Sequence, residues 1–238
     1  MLELAVFLGN PGPEHAGNRH NAGWHLAQRL PVNDELKWQK KFKGLWAYTG
    51  RTVLLPFADT AAMVPAIPAP EEIADSVQAP EKIHFLKPGT YMNRSGDSAH
   101  EAASFFRIKP ENIIVIHDEL ELPLGTISLK FGGGLGGHNG LRSMKASFGT
   151  ADFWRLRIGI SRPDNRLPGQ GGPEGSGRGV YEWVLSDFTA EESIILAQTL
   201  EAAAGLLLNA IICGPDKFLP HWAKKKLVPD KTDLTNQL

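Results

Sequence analysis

The segment from residue 132 to residue 140 reads GGGLGGHNG, and six of its nine residues are glycine. Glycine loses more backbone freedom on folding than any other residue, so such a run is favoured only where the backbone turns sharply or lies against a ligand. His138 and Asn139 place polar side chains at the end of this segment. The segment therefore predicts a loop that forms part of a binding site.

Short apolar segments alternate with helical patterns along most of the chain. The predicted strands are residues 4–8, 52–56, 83–86, 113–116, 126–131 and 153–160. The predicted helices are residues 21–30, 95–106, 138–148 and 189 to about 213, the last opening with a capping-box spacing from Thr189 to Glu192. This alternation predicts an α/β fold, a single three-layer αβα domain. The hairpin-like spacing of some strands predicts a mixed, mostly parallel central sheet.

The domain is predicted to span residues 1–213, followed by a C-terminal tail of residues 214–238 that carries three lysines at 224–226. Residues 57–82 are rich in Pro and Ala and hold five acidic residues against one lysine, which predicts a surface insertion or a partly disordered loop, either near the site or far from it. Residues 163–179 are rich in Pro and Gly and predict a flexible loop.

The composition narrows the class of protein. A hydrophobic content of 42% supports a sizeable core, and the single Cys213 excludes an internal disulfide and fits a reducing cytoplasm. No segment has the long uninterrupted apolar run that a membrane span needs, so no span is predicted. The first residues lack the basic start of a signal peptide, so none is predicted there. A net charge of −1 does not by itself indicate a nucleic-acid partner, although residues 37–43 are basic with Trp38 and Phe42 interleaved.

His20 and Asp118 are the candidate catalytic pair. His20 follows a Pro/Gly turn and precedes a helix, where a capping role is the alternative to that of a general base. Asp118 follows a predicted strand, at the sheet edge where ligands gather in α/β folds, and it could hold one ring nitrogen of His20 as a donor. No nucleophile elbow is present, so chemistry here would use water directly.

Neither a metal nor a nucleotide cofactor is predicted. His20, His117, Asp118 and His138 could converge, but their spacing matches no familiar zinc pattern. The glycine segment lacks the Lys-Ser/Thr ending of a P-loop and the acidic partner of a dinucleotide fingerprint.

Three asparagines, Asn10, Asn93 and Asn139, each lie beside a predicted turn or loop. One such asparagine is ordinarily a turn residue. Three of them near an acid/base pair indicate neutral groups that donate and accept hydrogen bonds, as recognition of amides, esters and hydroxyls requires.

Six short motifs occur in the order found in bacterial-type peptidyl-tRNA hydrolases, and the chain resembles that family over most of residues 4–213. They are Gly9-Asn10-Pro11-Gly12, Arg19-His20-Asn21-Ala22-Gly23, Tyr91-Met92-Asn93-Arg94-Ser95-Gly96, His117-Asp118-Glu119-Leu120, residues 132–141 and Arg155-Leu156-Arg157-Ile158-Gly159. The resemblance implies a cytoplasmic, monomeric α/β enzyme without a cofactor. Such an enzyme cleaves the ester between a peptide and the 3′ ribose of tRNA, recycling tRNA from abandoned translation.

The resemblance also implies residue roles. His20 is similar to the base that activates water, Asp118 to the residue that orients it, and Asn10 to the group that holds the peptide end and the water. The implied substrate contacts are Asn93, Asn139, Met92, Tyr91, His138 and His15. Lys130 and Arg157 resemble the pair that clamps the 5′ phosphate of tRNA, by a point charge and a planar fork. His15 stands where the family usually has Tyr, and His also stacks on bases.

Three other functions are compatible with parts of this pattern. An RNA-processing binding protein of the same fold would not hydrolyse substrate. A metal-dependent hydrolase would be sensitive to chelators. A general esterase would not require tRNA.

Overall fold

The computed structural model describes residues 1–58, 81–163 and 177–227. The described strands are β1 Leu4–Phe7, β2 Gln39–Lys41, β3 Gly44–Gly50, β4 Lys82–Pro88, β5 Ile113–Glu119, β6 Thr126–Phe131, β7 Trp154–Gly159 and β8 Lys225–Lys226. The described helices are α1 Ala22–Gln28, α2 Arg51–Ala58, α3 Ser95–Phe106, α4 Asn139–Phe148, α5 Gly177–Val184, α6 Ala190–Cys213 and α7 Leu219–Trp222.

The strands form one sheet in the order β2-β3-β4-β1-β5-β7-β6-β8. The four central strands, β4, β1, β5 and β7, are parallel to one another. The outer strands β2, β3, β6 and β8 pair antiparallel with their neighbours. The short apolar sequences of the central strands are buried on both faces, as is typical of a parallel sheet covered by helices. The predicted mixed, mostly parallel sheet is therefore confirmed.

Helices cover both faces of the sheet, which confirms the αβα layers. On one face α1, α2 and α6 pack on Ala5 and Phe7 of β1, while on the other α3 and α4 pack on Leu4 and Val6. Alternate side chains of β1 thus pack in two separate cores, because successive side chains of a strand point to opposite faces.

One predicted strand is wrong. Residues 52–56 lie in helix α2, and the strand is instead Gly44–Gly50, which pairs with β4. Leu54 is fully buried in the core on which α6 packs, and the Arg51 guanidinium donates to the backbone carbonyls of Leu2 and Ile211. These tertiary contacts override the strand preference of Thr52 and Val53.

The two predicted irregular segments lie largely outside the described residues. Of the predicted insertion, only residues 57–58, at the end of α2, and residues 81–82, at the start of β4, are described. Of residues 163–179, the last three belong to α5, a helix that the sequence analysis did not predict.

The long helix α6 begins as predicted, with the Thr189 side chain accepting from the Glu192 N–H and Glu192 reaching back to the Thr189 N–H. By length and apolar composition alone, α6 could cross a membrane, and a buried core helix can have the same length and composition. In the structure 72% of its most apolar window is buried inside the protein, where it forms the core of one layer.

The first residues of the tail belong to the folded domain. Trp222 of α7 is 1% exposed in the core, and β8 pairs with β6 through Lys225 and Lys226. The sequence did not predict where the tail lies. In the structure residues 214–227 pack on the domain, and their strand β8 pairs with the otherwise outermost strand β6.

Candidate active site

His20 and Asp118 meet at the carboxyl ends of the central strands. Asp118 lies on β5, and His20 lies in a short 3-10 turn, Arg19–Asn21, between β1 and α1. His20 Nδ1 is 2.9 Å from Asp118 Oδ1, and both residues are buried. The contact predicted from the sequence is thus present, and it leaves Nε2 of His20 as the ring atom directed away from the carboxylate.

A second imidazole contacts the same carboxylate oxygen. His138 Nε2 is 3.0 Å from Asp118 Oδ1, and the rings of His20 and His138 are 4.9 Å apart. His138 is also the N-cap of α4, because its Nδ1 accepts from the N–H groups of Gly140 and Leu141. An Nδ1 that accepts carries no proton, so the proton of neutral His138 lies on Nε2 and is donated to Asp118. The sequence alone did not indicate this double function.

The charges of the cluster shift its pKa values. Burial opposes ionisation of Asp118, but the nearby His20 and His138 outweigh it and hold the pKa of this carboxyl well below its usual range. Burial lowers the pKa of His20, while the charge and hydrogen bond of Asp118 raise it, and the net pKa lies above the ordinary value of 6.5. The carboxylate is therefore ionised and His20 is a stronger base than free imidazole.

His117 stays neutral behind this cluster. Its side chain is 1% exposed, its Nδ1 lies 2.6 Å from the backbone oxygen of Asp118, and its ring stands edge-on to His138 at 4.9 Å. Burial, followed by the charge of His138, lowers the pKa of His117 well below its usual range. His117 thus packs under the site without adding a charge.

The ligand-type atoms of His20, Asp118 and His138 lie within 4.8 Å of one another, close enough in principle for a metal ion. Binding a metal through His138 Nε2 would move the proton to Nδ1, which faces the N–H groups of Gly140 and Leu141. Two donors would then point at each other, so the cap on α4 disfavours a metal at His138.

Asn10 joins two loops of the cleft through its amide oxygen. Asn10 Oδ1 accepts from the Met92 N–H at 2.8 Å, and the backbone of Asn10 exchanges two hydrogen bonds with the Asn21 side chain. Among the described residues none accepts from Asn10 Nδ2. The side chain is therefore held by its oxygen and offers its amino group to the cleft.

The cleft has two arms that meet at His20. The first arm, of about 330 Å³, is lined by His20, Asp118, Glu119, Gly137, Asn139 and Tyr181. The second arm is lined by Asn10, His15, His20, Tyr91, Met92 and Asn93. Five of the six predicted substrate contacts thus line the second arm, Asn139 lines both arms, and His138 lines only the first.

Asn93 and Asn139 are exposed in the cleft, and in the described part of the chain their side-chain amides have no hydrogen-bond partner. Free amides of this kind suit a ligand with peptide or ester groups. Tyr181 of α5 is 67% exposed and lines both arms. Sequence reasoning missed Tyr181, because it follows a segment that predicts only a loop.

The glycine loop is held from below by a buried arginine that sequence reasoning also did not single out for this function. Four of its glycines have positive φ, from +57° to +87°, as a sharply turning backbone requires. The Arg155 guanidinium donates to the carbonyls of Gly133 and Gly134 at 2.7 and 2.6 Å, and its residue is 2% exposed. Arg155 thereby fixes the loop on β7.

Lys130 and Arg157 lie on neighbouring antiparallel strands on the same face of the sheet as Arg155, beside the first arm. Arg157 is partly engaged, with Ser128 at 2.7 Å and the Glu119 carboxylate at 3.4 Å. No carboxylate pairs with Lys130 in the described ranges. The two cations predicted to bind a phosphate are therefore close in the fold, and their role stays a prediction.

The turn that carries His20 is anchored by Arg19. The Arg19 guanidinium lies 3.7 Å from the Trp183 ring centre and 2.7 Å from the Glu192 carboxylate, and it is almost fully buried. This side chain ties the turn before α1 to α5 and α6, and so fixes where His20 stands.

The chain matches the family model described as peptidyl-tRNA hydrolase over residues 4–227. It is 38% identical to the peptidyl-tRNA hydrolase of Treponema pallidum (strain Nichols) over 95% of this chain and 97% of that protein. It is 36% identical to that of Desulfitobacterium hafniense (strain Y51), over 84% and 88%. The crystal structure of the Acinetobacter baumannii peptidyl-tRNA hydrolase superposes with a TM-score of 0.67 at 30% identity, over 92% and 91% of the two chains. The predicted family is confirmed, and this chain belongs to the peptidyl-tRNA hydrolases.

Proposed function

We propose that this protein hydrolyses the ester between the peptide and the 3′ ribose of tRNA, with water activated by His20. The observation that carries the mechanism is the 2.9 Å contact between His20 and the ionised Asp118 at the junction of the two cleft arms. Family membership supports the substrate, and this contact supports the chemistry.

In the proposed step, His20 Nε2 removes a proton from water as the water oxygen attacks the ester carbonyl carbon. Asp118 accepts from His20 Nδ1 and stabilises the imidazolium that forms. The imidazolium then returns the proton to the departing 3′ oxygen of the ribose as the bond from the carbonyl carbon to that oxygen breaks. The products are tRNA with a free 3′ hydroxyl and a peptide carboxylic acid, which loses its proton to solvent. No metal or other cofactor takes part.

The developing oxyanion requires hydrogen-bond donors. The amide groups of Asn10 and Asn139 line the cleft together with His20, and the N–H groups of the glycine loop are the alternative. On this proposal Tyr91, Met92, Asn93, His15 and His138 line the substrate path, in keeping with their location.

The tRNA is proposed to enter along the first arm. Lys130 and Arg157 lie beside that arm, under the glycine loop, where they would bind the 5′ phosphate. The second arm, with its amides and Met92, then receives the peptide. The protein would act as a cytoplasmic monomer with no membrane contact, in keeping with the burial of α6.

The deciding experiment measures release of free tRNA from an N-acetylaminoacyl-tRNA, from the matching unblocked aminoacyl-tRNA and from a small ester without tRNA. We expect fast release from the blocked tRNA only. Equal hydrolysis of the small ester would indicate a general esterase, and binding without release would indicate an RNA-binding protein. Loss of activity in a chelator would contradict the metal-free mechanism.

A further inference from the structure

A separate basic cavity of about 480 Å³ lies on the β2-β3-β4 side of the cleft. Its lining includes Trp24, Lys40, Lys41, Lys43, Lys87 and Gly89, and we call it the lysine pocket. No acidic side chain lines it within the described residues. Three of the lysines, 40, 41 and 43, belong to the basic segment that stood out in the sequence and that the proposed mechanism does not use.

Strand register places two of these lysines in a row. Lys40 on β2 is opposite Leu45 on β3, and Leu45 is opposite Lys87 on β4, so the three side chains share one face of the sheet. Lys41 alternates to the other face, with its Nζ 4.2 Å from the Phe105 ring centre, and Lys43 pairs with Glu101 at 3.0 Å. Lys40 and Lys87 are the charges that remain for a ligand.

Lys87 is half-buried without an acidic partner. Its Nζ lies 5.0 Å from the ring centre of Trp24 and 5.9 Å from that of Trp38, and burial lowers its pKa. Among residues 1–58, 81–163 and 177–227 no carboxylate pairs with Lys87 or Lys40. A partly desolvated ammonium without a counter-charge is unfavourable by itself and is stabilised when an anion joins it.

The lysine pocket adjoins the second arm of the cleft through two segments. The Trp24 indole packs directly under Gly9, beside Asn10, so closely that a Cβ at Gly9 would lie 2.6 Å from the ring. The β4–α3 loop contributes Gly89 to the lysine pocket and Tyr91 to the second arm. Two residues of extended chain span at most about 7 Å, so the two cavities are close neighbours.

The order of the strands shows on which side of the catalytic pair the lysine pocket lies. Lys130 and Arg157, the phosphate contacts of the proposed function, lie on β6 and β7, to one side of His20 and Asp118. The lysine pocket lies on β2 to β4, to the other side. Along the strand order, a substrate whose tRNA lies over β6 and β7 directs its peptide towards β4. Lys87 lies near the carboxyl end of β4, on the face of the sheet opposite to Lys130 and Arg157, so the peptide reaches the lysine pocket around that end of the strand.

We propose that the lysine pocket binds the carboxylate of an acidic side chain in the peptide part of the substrate. The inference rests on the proposed function, since it takes the peptide to occupy the second arm. Gly89 and Met92 are three positions apart in the β4–α3 loop, and an extended peptide rises by at most about 3.6 Å per residue. The acidic residue therefore lies about one to three positions upstream of the ester-linked residue, which is the second to fourth position counted from the ester.

The test compares N-acetyl-tetrapeptidyl-tRNAs that carry Glu or its uncharged isostere Gln at the second, third or fourth position from the ester. The measured quantity is the ratio of kcat/KM for Glu to that for Gln, which cancels any general change in activity. For the unmodified enzyme we expect a ratio of about two to ten at one position in low salt, falling towards one in high salt.

Variants then locate the effect. Lys87→Met is expected to bring the ratio to about one, Lys40→Met to lower it, and Lys87→Glu to favour a Lys-containing peptide over the Glu one. Lys109→Met is the matched control, because Lys109 is an exposed lysine just before β5, at the amino ends of the parallel strands, whereas Lys87 lies near their carboxyl ends. The control is expected to keep the unmodified ratio.

A ratio of one at all three positions, or an unchanged ratio in Lys87→Met, would overturn the proposal. An equal, salt-sensitive loss for Glu and Gln substrates in Lys87→Met would also overturn it, since the pocket would then contact RNA phosphate. Failure of the unmodified enzyme to release tRNA even from the Gln substrates would refute the proposed function itself, a result separate from any Glu-to-Gln ratio.

Discussion

His20 and Asp118 are 98 residues apart in the chain, and their side chains meet at 2.9 Å. The contact forms because β1 and β5 are parallel neighbours, so the segment after β1 and the end of β5 reach the same edge of the sheet. His138 contributes a second donor to the same oxygen from the opposite wall. The carboxylate is thereby held by two imidazoles, only one of which opens on both arms of the cleft.

Replacing His20 by Ala removes the proposed base and should lower kcat on N-acetylaminoacyl-tRNA by about 10²–10⁴-fold. His100→Ala is the matched control, because His100 is an exposed histidine on α3. Single-turnover release of tRNA from both variants is the measurement. Near-normal turnover in His20→Ala would remove this residue from the mechanism.

Asp118→Asn should shift the pH dependence as well as the rate. His20 must be neutral to accept a proton, so activity falls as pH drops through its pKa, which Asp118 raises above 6.5. Without the carboxylate, burial dominates and the pKa of His20 falls, so the acid limb of kcat/KM should move to lower pH while the maximum rate drops. An acid limb that stays in place would show that it does not report His20.

His138 can be tested by separating its two contacts. His138→Ala loses the cap of α4 and should destabilise the protein by about 0.5–2 kcal/mol, whereas His138→Asn keeps a capping side chain. Both variants lose a hydrogen bond to charged Asp118, and both should lose up to about ten- to hundredfold in kcat. Thermal unfolding and turnover measured together distinguish the two effects, and full activity in His138→Asn would contradict a positioning role.

Lys130→Ala should weaken tRNA binding without altering the chemical step. Removing one phosphate contact is expected to raise KM and to reduce the slope of log affinity against log salt by about one. Lys130 is the cleaner choice, because removing Arg157 would also leave Glu119 unpaired. The single-turnover rate at saturating N-acetylaminoacyl-tRNA serves as the control, and an equal loss in that rate would exclude the phosphate role.

Arg155→Met should loosen the glycine loop. The substitution removes two charged hydrogen bonds to exposed glycine carbonyls, so water replaces part of the loss and the cost in stability should be about 1–3 kcal/mol. Hydrogen exchange of residues 132–140 should become faster, and KM should rise. Unchanged exchange in this loop would show that other contacts hold it.

Much of the fold followed from local patterns. Helix α3 has the predicted bounds of residues 95–106, β6 has those of 126–131, and α6 begins at the predicted capping box. These elements have strong periodicity or clear end signals, which depend on near neighbours in the chain. The strand predicted at residues 52–56 was wrong, because their composition favours a strand while burial of Leu54 and the long-range hydrogen bonds of Arg51 favour a helix.

The site divides in the same way. The glycine run, the candidate base and its acid could be predicted from the sequence as parts of a site, because each lies at a predicted turn or strand end. Arg155, Tyr181 and the second function of His138 could not, since each depends on what lies opposite in space. The pair of lysines at 40 and 87 likewise becomes visible only through strand register.

Periodicity and short motifs in the amino-acid sequence were enough to predict the layered α/β class, the family and the chemical groups available to the site. The tertiary structure decided which groups share an atom, which charges lie unpaired and how the cleft divides into two arms. These properties depend on distances of a few ångströms between segments far apart in the chain, and parallel strand pairing and burial set those distances.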